Sequence, residues 1–182
     1  MEALESPRLP LGRLVRLDGA DAPDVAAHYR RLDAAARYCR FAGVVPDALL
    51  ERLAAEATHP AHRCFGVVID GVLRGVAECR LGSPVAGAPA EVALSIESAW
   101  QGQGLGGVLL GALIPEARVA GARSVHLSAL AANAAMLRLA RRYGMTLTRD
   151  GEIEAVLSLS PPEAVAVPVR APAAKSMPAP AA

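Results

Sequence analysis

The sequence predicts a single α/β (α+β) domain: a twisted, mostly antiparallel sheet of six or seven strands, flanked by helices. Three observations carry this. β-type and helix-type runs alternate along 182 residues, a length that suits one domain. Asp70-Gly71 joins two β-rich runs, Arg63 to Ile69 and Val72 to Arg80, as a two-residue hairpin link. The stretch from Glu91 to Ala129 reads strand, glycine-dense turn, long helix, strand. Such a unit crosses over right-handed and makes its two strands a parallel pair at the centre of the sheet.

Each element has a local cause. Gly12 to Leu17 alternates as a first strand after a loose arm, residues 1–11. Asp21 or Asp24 caps a helix that Pro23 helps to open and that runs to about Arg31. A second helix covers 33–40, and Pro46 opens a third over 47–57, with Leu49, Leu50 and Leu53 along its apolar side. The hairpin follows, then a Gly/Pro/Ala loop over 82–90. The central strand (91–97), the glycine turn and a helix over 105–120 come next, closed by Gly121. Ser124 to Ala129 is the parallel partner strand, and Asn133 precedes a helix closed by Gly144. Met145 to Thr148 and Ile153 to Leu159 form a last hairpin, so the domain spans 12–160. Residues 161–182 are almost all Pro, Ala and Val and are expected to be a disordered tail.

Composition excludes several function classes. A net charge of +1 with both signs dispersed leaves no footprint for nucleic acid or an acidic surface. No run reaches membrane length, and no apolar core follows a basic N-terminus. The odd cysteine set, Cys39, Cys64 and Cys79, lacks Cys-x-x-Cys spacing, and His59-x-x-His62 lacks further ligands, so neither a disulfide framework nor a metal site is expected. A cytoplasmic protein with reduced thiols is the simplest reading.

The turn Gln101-Gly102-Gln103-Gly104-Leu105-Gly106-Gly107 opens a helix with backbone amides aimed at one point, an arrangement that binds phosphate. A Walker loop requires Gly-Lys-Ser/Thr, which Gly106-Gly107-Val108 lacks. Gly102-x-Gly104-x-x-Gly107 matches the dinucleotide fingerprint literally, but Leu127 to Leu130 offers no ribose-binding carboxylate, and too few β-α units follow. Gln101-x-x-Gly104-x-Gly106, with Trp100 before it and Leu109-Leu110 after it, resembles the acetyl-CoA loop of the GNAT N-acetyltransferase superfamily. Asn133 to Met145 resembles that superfamily's second CoA-side helix. Arg37-Tyr38-x-Arg40-Phe41 together with Glu91 resembles the bacterial protein-lysine acetyltransferase branch, whose GNAT domains act on acyl-CoA synthetases and related proteins.

The resemblance implies a GNAT fold with a splayed central strand pair and acetyl-CoA as co-substrate, without a metal. The acceptor it implies is a protein lysine, or alternatively a small amine. Gly102, Gln103, Gly104, Leu105, Gly106 and Gly107 would cradle the CoA pyrophosphate with Gln101, and Leu94, Ser95 and Ile96 would pair with the pantetheine arm and polarise the thioester. Asn133 would bind that arm as well as cap its helix. Tyr38, Arg40 and Phe41 fall on the acceptor side. A lysine ammonium must lose a proton to attack, and Glu91 is the base; by alternation it shares a strand face with Ala93, Ser95 and Glu97, and Glu97 reads as a surface charge. Arg138, Arg141 and Arg142 read as a solvated basic face. Many members place a tyrosine four residues before the helix-closing glycine as proton donor; here that position is Ala140, and Tyr143 is adjacent to the glycine instead. His126 offers itself as an acid or as a half-buried structural histidine. A different class, an acyl-CoA-sensing module without turnover, would keep the glycine loop but lack a working base. Homodimerisation is left open by the sequence.

Overall fold

The computed structural model describes residues 12–82, 87–150 and 152–159; the arm, the tail and part of the 82–90 loop lie outside these. In chain order the elements are β1 (Gly12–Leu17), α1 (Ala22–Arg31), α2 (Ala34–Phe41), α3 (Asp47–Ala57), β2 (His62–Ile69), β3 (Val72–Leu81), β4 (Ala90–Ile96), α4 (Leu105–Val119), β5 (Ser124–Ala129), α5 (Ala134–Arg142), β6 (Thr146–Asp150) and β7 (Glu152–Ser158). They build one seven-stranded sheet in the order β1-β2-β3-β4-β5-β7-β6. Every neighbouring pair is antiparallel except β4–β5. The expected sheet, its central parallel pair and all five helices are present.

Local chemistry sets the joints. Asp70 and Gly71 have φ of 51° and 73°, the two left-handed residues of a type I′ turn, so Ile69 pairs directly with Val72. The β2–β3 register then slips between Val67 and Val68, leaving Arg74 as the extra residue of a bulge. A bulge re-aims a side chain, and Arg74 turns to a carboxylate beyond β4. The entry to α1 differs from expectation: Asp18 caps a short 3₁₀ turn, and Asp21 reaches back to the Asp18 amide at 2.9 Å rather than capping α1. Asp33 caps α2 through the Ala36 amide at 2.8 Å.

Each sheet face carries its own core. Leu105, Leu109, Leu110 and Leu113 of α4, with Leu137 and Ala140 of α5, cover Val92, Leu94, Val125 and Leu127. On the other face Val25 and Tyr29 of α1 and Leu50 and Ala54 of α3 cover Cys64 and Val76. With so few aromatics, branched aliphatic and alanine side chains fill both layers. The Tyr143 hydroxyl donates to the Gly107 carbonyl at 2.6 Å, and a β-carbon on Gly111 would stand 3.0 Å from that hydroxyl, so a bare helix surface lets α5 dock on α4. Among the described residues no helix is long and apolar enough to cross a membrane.

The parallel pair is the irregular one. β4 and β5 pair only at Ala90 with Val125 and Glu91 with His126, although β4 runs on to Ile96 and β5 to Ala129. Beyond Glu91 the strands part, and the β4 backbone groups turned toward β5 lose their ladder partner.

Candidate active site

The parted strands open a cleft of ≈ 560 Å³. Leu94, Ser95 and Ile96 form one wall, Ala132 and Asn133 the other, and Ala35, Ala36, Cys39 and Arg40 of α2 close over the top. At its mouth lie Gln101, Gly102, Gly104, Leu105, Gly106 and Gly107, with Arg138 and Arg142 of α5 opposite.

The loop is shaped to present amides. Gly102 and Gly104 have φ of 75° and 85°, which side chains rarely adopt, and a β-carbon on either would project into open space. Leu105 and Gly106 occupy the first turn of α4, where no carbonyl lies one helical turn earlier to accept from them. Gly107 differs from expectation: its N–H donates to the Gly104 carbonyl at 3.0 Å, so it is spent within the loop. The Gln101 side-chain amide donates to the Ile96 carbonyl at 3.0 Å, tying the loop to the end of β4. Gln103 likewise donates to the Ala99 carbonyl at 3.2 Å. An anionic group on a flexible arm fits this cleft: amides and two arginines at the mouth, an unpaired strand edge within.

A match to the Acetyltransferase (GNAT) family model covers residues 29–145, which includes the glycine loop, both strands of the parted pair and all of α5. The chain belongs to this GNAT acetyltransferase family. Its co-substrate is therefore acetyl-CoA. A comparison with curated proteins finds no significant match. Among solved structures it is similar to the GNAT domain of S. lividans PAT, at 23% identity and a TM-score of 0.74, covering 81% of this chain and 90% of that one. It is similar to YncA from Salmonella typhimurium, a structure with acetyl-CoA, at 22% identity and TM-score 0.65, over 82% of this chain and 94% of that one. The Escherichia coli ribosomal-protein-S18-alanine N-acetyltransferase gives 20% identity and TM-score 0.60, over 80% and 91% of the two chains. At these identities the likeness is one of fold.

Within the GNAT fold the sequence-predicted residues separate. Leu94, Ser95, Ile96, Gln101, Gly102, Gly104, Leu105, Gly106, Gly107, Asn133 and Arg40 all line the cleft. Asn133 also caps α5 through the Met136 amide at 3.1 Å. Tyr38 is not brought to it: half-exposed, it borders a separate shallow hollow with Leu32, Arg37 and Val44. Phe41 packs edge-on against buried Tyr29, ring centroids 5.2 Å apart, and serves the core. Glu91 is exposed and stands at the vertex, where the strands still pair, on the face it shares with Ala93 and Ser95. Its register partner His126 is held between Ser124 at 2.9 Å and Glu154 at 2.6 Å.

Three titratable groups beside the cleft differ from the sequence reading or escaped it. Glu97 is no surface charge: it is 7% exposed and accepts from Arg31 Nε at 2.7 Å and from Arg74 at 2.8 Å. Burial opposes its ionisation, but the two arginines outweigh that and hold its carboxyl below the ordinary value. Glu78, 3% exposed, accepts from Arg40 Nη2 at 2.6 Å, while its other oxygen has no hydrogen-bond partner among the described residues. A lone acid inside the apolar run Val72 to Cys79 was the available signal for it. His28 is fully buried. Burial pulls its imidazole down from 6.5 to about 4, with Glu97 opposing and Arg31 reinforcing the shift.

That shift has a sign. Folded His28 refuses a proton that the unfolded chain accepts, so its contribution is complete above pH 6.5 and is lost as the pH falls toward about 4. The loss is on the order of 3 kcal/mol. Urea denaturation at pH 7.5, 5.5 and 4.5 should show the fall, and His28→Gln should flatten it.

Proposed function

We propose that this GNAT enzyme transfers an acetyl group from acetyl-CoA to a primary amine, a protein lysine first of all, by direct attack of the amine on the thioester. The observation that carries this reading is the β4–β5 pair that parts just beyond Glu91, with a glycine loop at one end of the opening and the α2 residues at the other. The loop amides and the cationic face of α5 hold the pyrophosphate. The β4 edge at Leu94 to Ile96, apart from the Ile96 carbonyl that Gln101 occupies, pairs with the pantetheine amides as an added strand would, and places the thioester carbonyl against backbone donors. Asn133 steadies the arm from the other wall.

The amine enters from the α2 side, past Arg40. Its lone pair attacks the thioester carbon, the tetrahedral intermediate collapses, and CoA leaves as a thiolate. Glu91 takes the ammonium proton. At ~3.3 Å per residue Glu91 stands roughly 10 Å along the strand from Leu94, so the proton reaches it through water. Ala140 is buried and cannot donate to the departing sulfur. A thiolate leaves without prior protonation, because a thiol is acidic enough to depart as its anion. The lysine acceptor rests on the resemblance of Arg37 to Phe41 and Glu91 to the protein-lysine branch. A small amine is the alternative acceptor.

Calorimetry with acetyl-CoA, followed in the same preparation by thiol release with a purified acyl-CoA synthetase and a panel of small amines, tests the reading. Glu91→Gln should bind acetyl-CoA as wild type does and lose at least about 100-fold in kcat, the scale of a general base. Binding without turnover on any acceptor would favour the acyl-CoA-sensing module. Absence of binding would sink the assignment of the loop.

A further inference from the structure

Ser95 sits in the β4 wall of the cleft, 6% exposed. Behind it His28 of α1 places Nε2 2.9 Å from Ser95 Oγ. On the far side of the ring, Nδ1 is 3.5 Å from Glu97 Oε1. Arg31 of α1 and Arg74 of the β3 bulge fix that carboxylate from two directions. Serine, imidazole and carboxylate thus lie in a row from the cleft wall into the interior.

The row has a direction. A carboxylate only accepts, so a bare Nδ1 lone pair facing Glu97 would be repelled. The ring proton therefore belongs on Nδ1, a tautomer assigned from its neighbours. Nε2 keeps its lone pair and accepts the Ser95 hydroxyl proton. An unrestrained serine hydroxyl rotates freely and offers donor or acceptor alike. Here the proton is committed to the interior, and the oxygen's lone pairs are what remain for the cleft.

We propose that Ser95 Oγ is the hydrogen-bond acceptor that seats the incoming primary amine beside the thioester, with His28 and Glu97 as positioning residues that keep the hydroxyl proton turned away. This rests on the acetyl-transfer reading and adds to it a determinant for nitrogen nucleophiles. An attacking primary amine points its lone pair at the carbonyl carbon and still carries N–H bonds to donate. One of them meets Ser95 Oγ and stays there from bound amine to tetrahedral intermediate. No proton is transferred at Ser95; the contact fixes the angle of attack.

The test has two arms. In ¹⁵N-imidazole spectra of the full chain at pH 7, His28 should carry its proton on Nδ1, and Ser95→Ala should shift the Nε2 resonance. With the amine that gives wild type its fastest CoA release, Ser95→Ala should raise the amine KM about tenfold, the scale of one well-made hydrogen bond, and leave acetyl-CoA affinity unchanged, since the β4 edge meets the pantetheine arm through its backbone. Ser95→Thr should recover most of the loss, and His28→Gln should raise the amine KM without moving acetyl-CoA binding. A protonated Nε2, or a Ser95→Ala enzyme with wild-type amine KM and kcat, would overturn the proposal. Failure of wild type to bind acetyl-CoA or to release CoA with any acceptor would overturn the acetyl-transfer reading instead, and the spectra would still decide which way the hydroxyl points.

Discussion

Gly104→Asp should weaken acetyl-CoA binding by at least about 100-fold while the chain stays folded. Gly104 caps α4 with φ of 85°, lines the cleft mouth, and has open space where a β-carbon would project. Aspartate is among the side chains that tolerate this backbone region, at a cost of about 1–2 kcal/mol. Its carboxylate would stand where the proposed pyrophosphate sits. Two like charges about 4 Å apart repel by about 4 kcal/mol at the effective dielectric near a protein surface, more than the loss a 100-fold change requires. Gly104→Ala carries at least as much backbone strain without the charge, so it should lose much less acetyl-CoA affinity. Calorimetry on the three proteins separates the terms, and added salt should narrow the gap between the aspartate and alanine variants.

The second large effect is on stability. Glu78→Ala leaves the Arg40 guanidinium, only 11% exposed, without its carboxylate. Removing one partner of a buried ion pair costs about 3–5 kcal/mol, because the remaining charge stays desolvated. For a domain of this size that lowers Tm by roughly 6–20 °C. Arg40 retains its stacking over Phe41 at 4.8 Å, and Tyr29 accepts from it at 3.5 Å, but neither neutralises the charge. Arg40→Met combined with Glu78→Leu should regain most of the loss, since a well-packed apolar pair replaces a buried ion pair at little cost. Because Arg40 lines the cleft, the double variant also tells acceptor handling apart from folding: a stable protein with a raised amine KM would place Arg40 on the substrate's path.

What the sequence determined by itself was whatever short-range chemistry dictates. Asp70-Gly71 makes a type I′ turn wherever it stands between strands, and the hairpin appeared at that link. Period-two and period-3.6 runs set the strands and helices to within a residue or two, and the glycine spacing of the loop set the family. Asn133 was legible both as a helix cap and as a cleft residue because both roles depend on where α5 begins. The tertiary structure alone decided which polar groups meet. Arg31, Arg74 and Glu97 are far apart in the chain and converge only because a bulge in β3 turns Arg74 across β4. His28 reaches Ser95 across 67 positions of sequence, and Glu78 reaches Arg40 across 38. The same holds for Tyr38 and Phe41, which lie within a single turn of the same helix as Arg40, yet of the three only Arg40 faces the opening. Periodicity tells which side chains share a face, and only packing tells whether that face meets a cleft, a core or water.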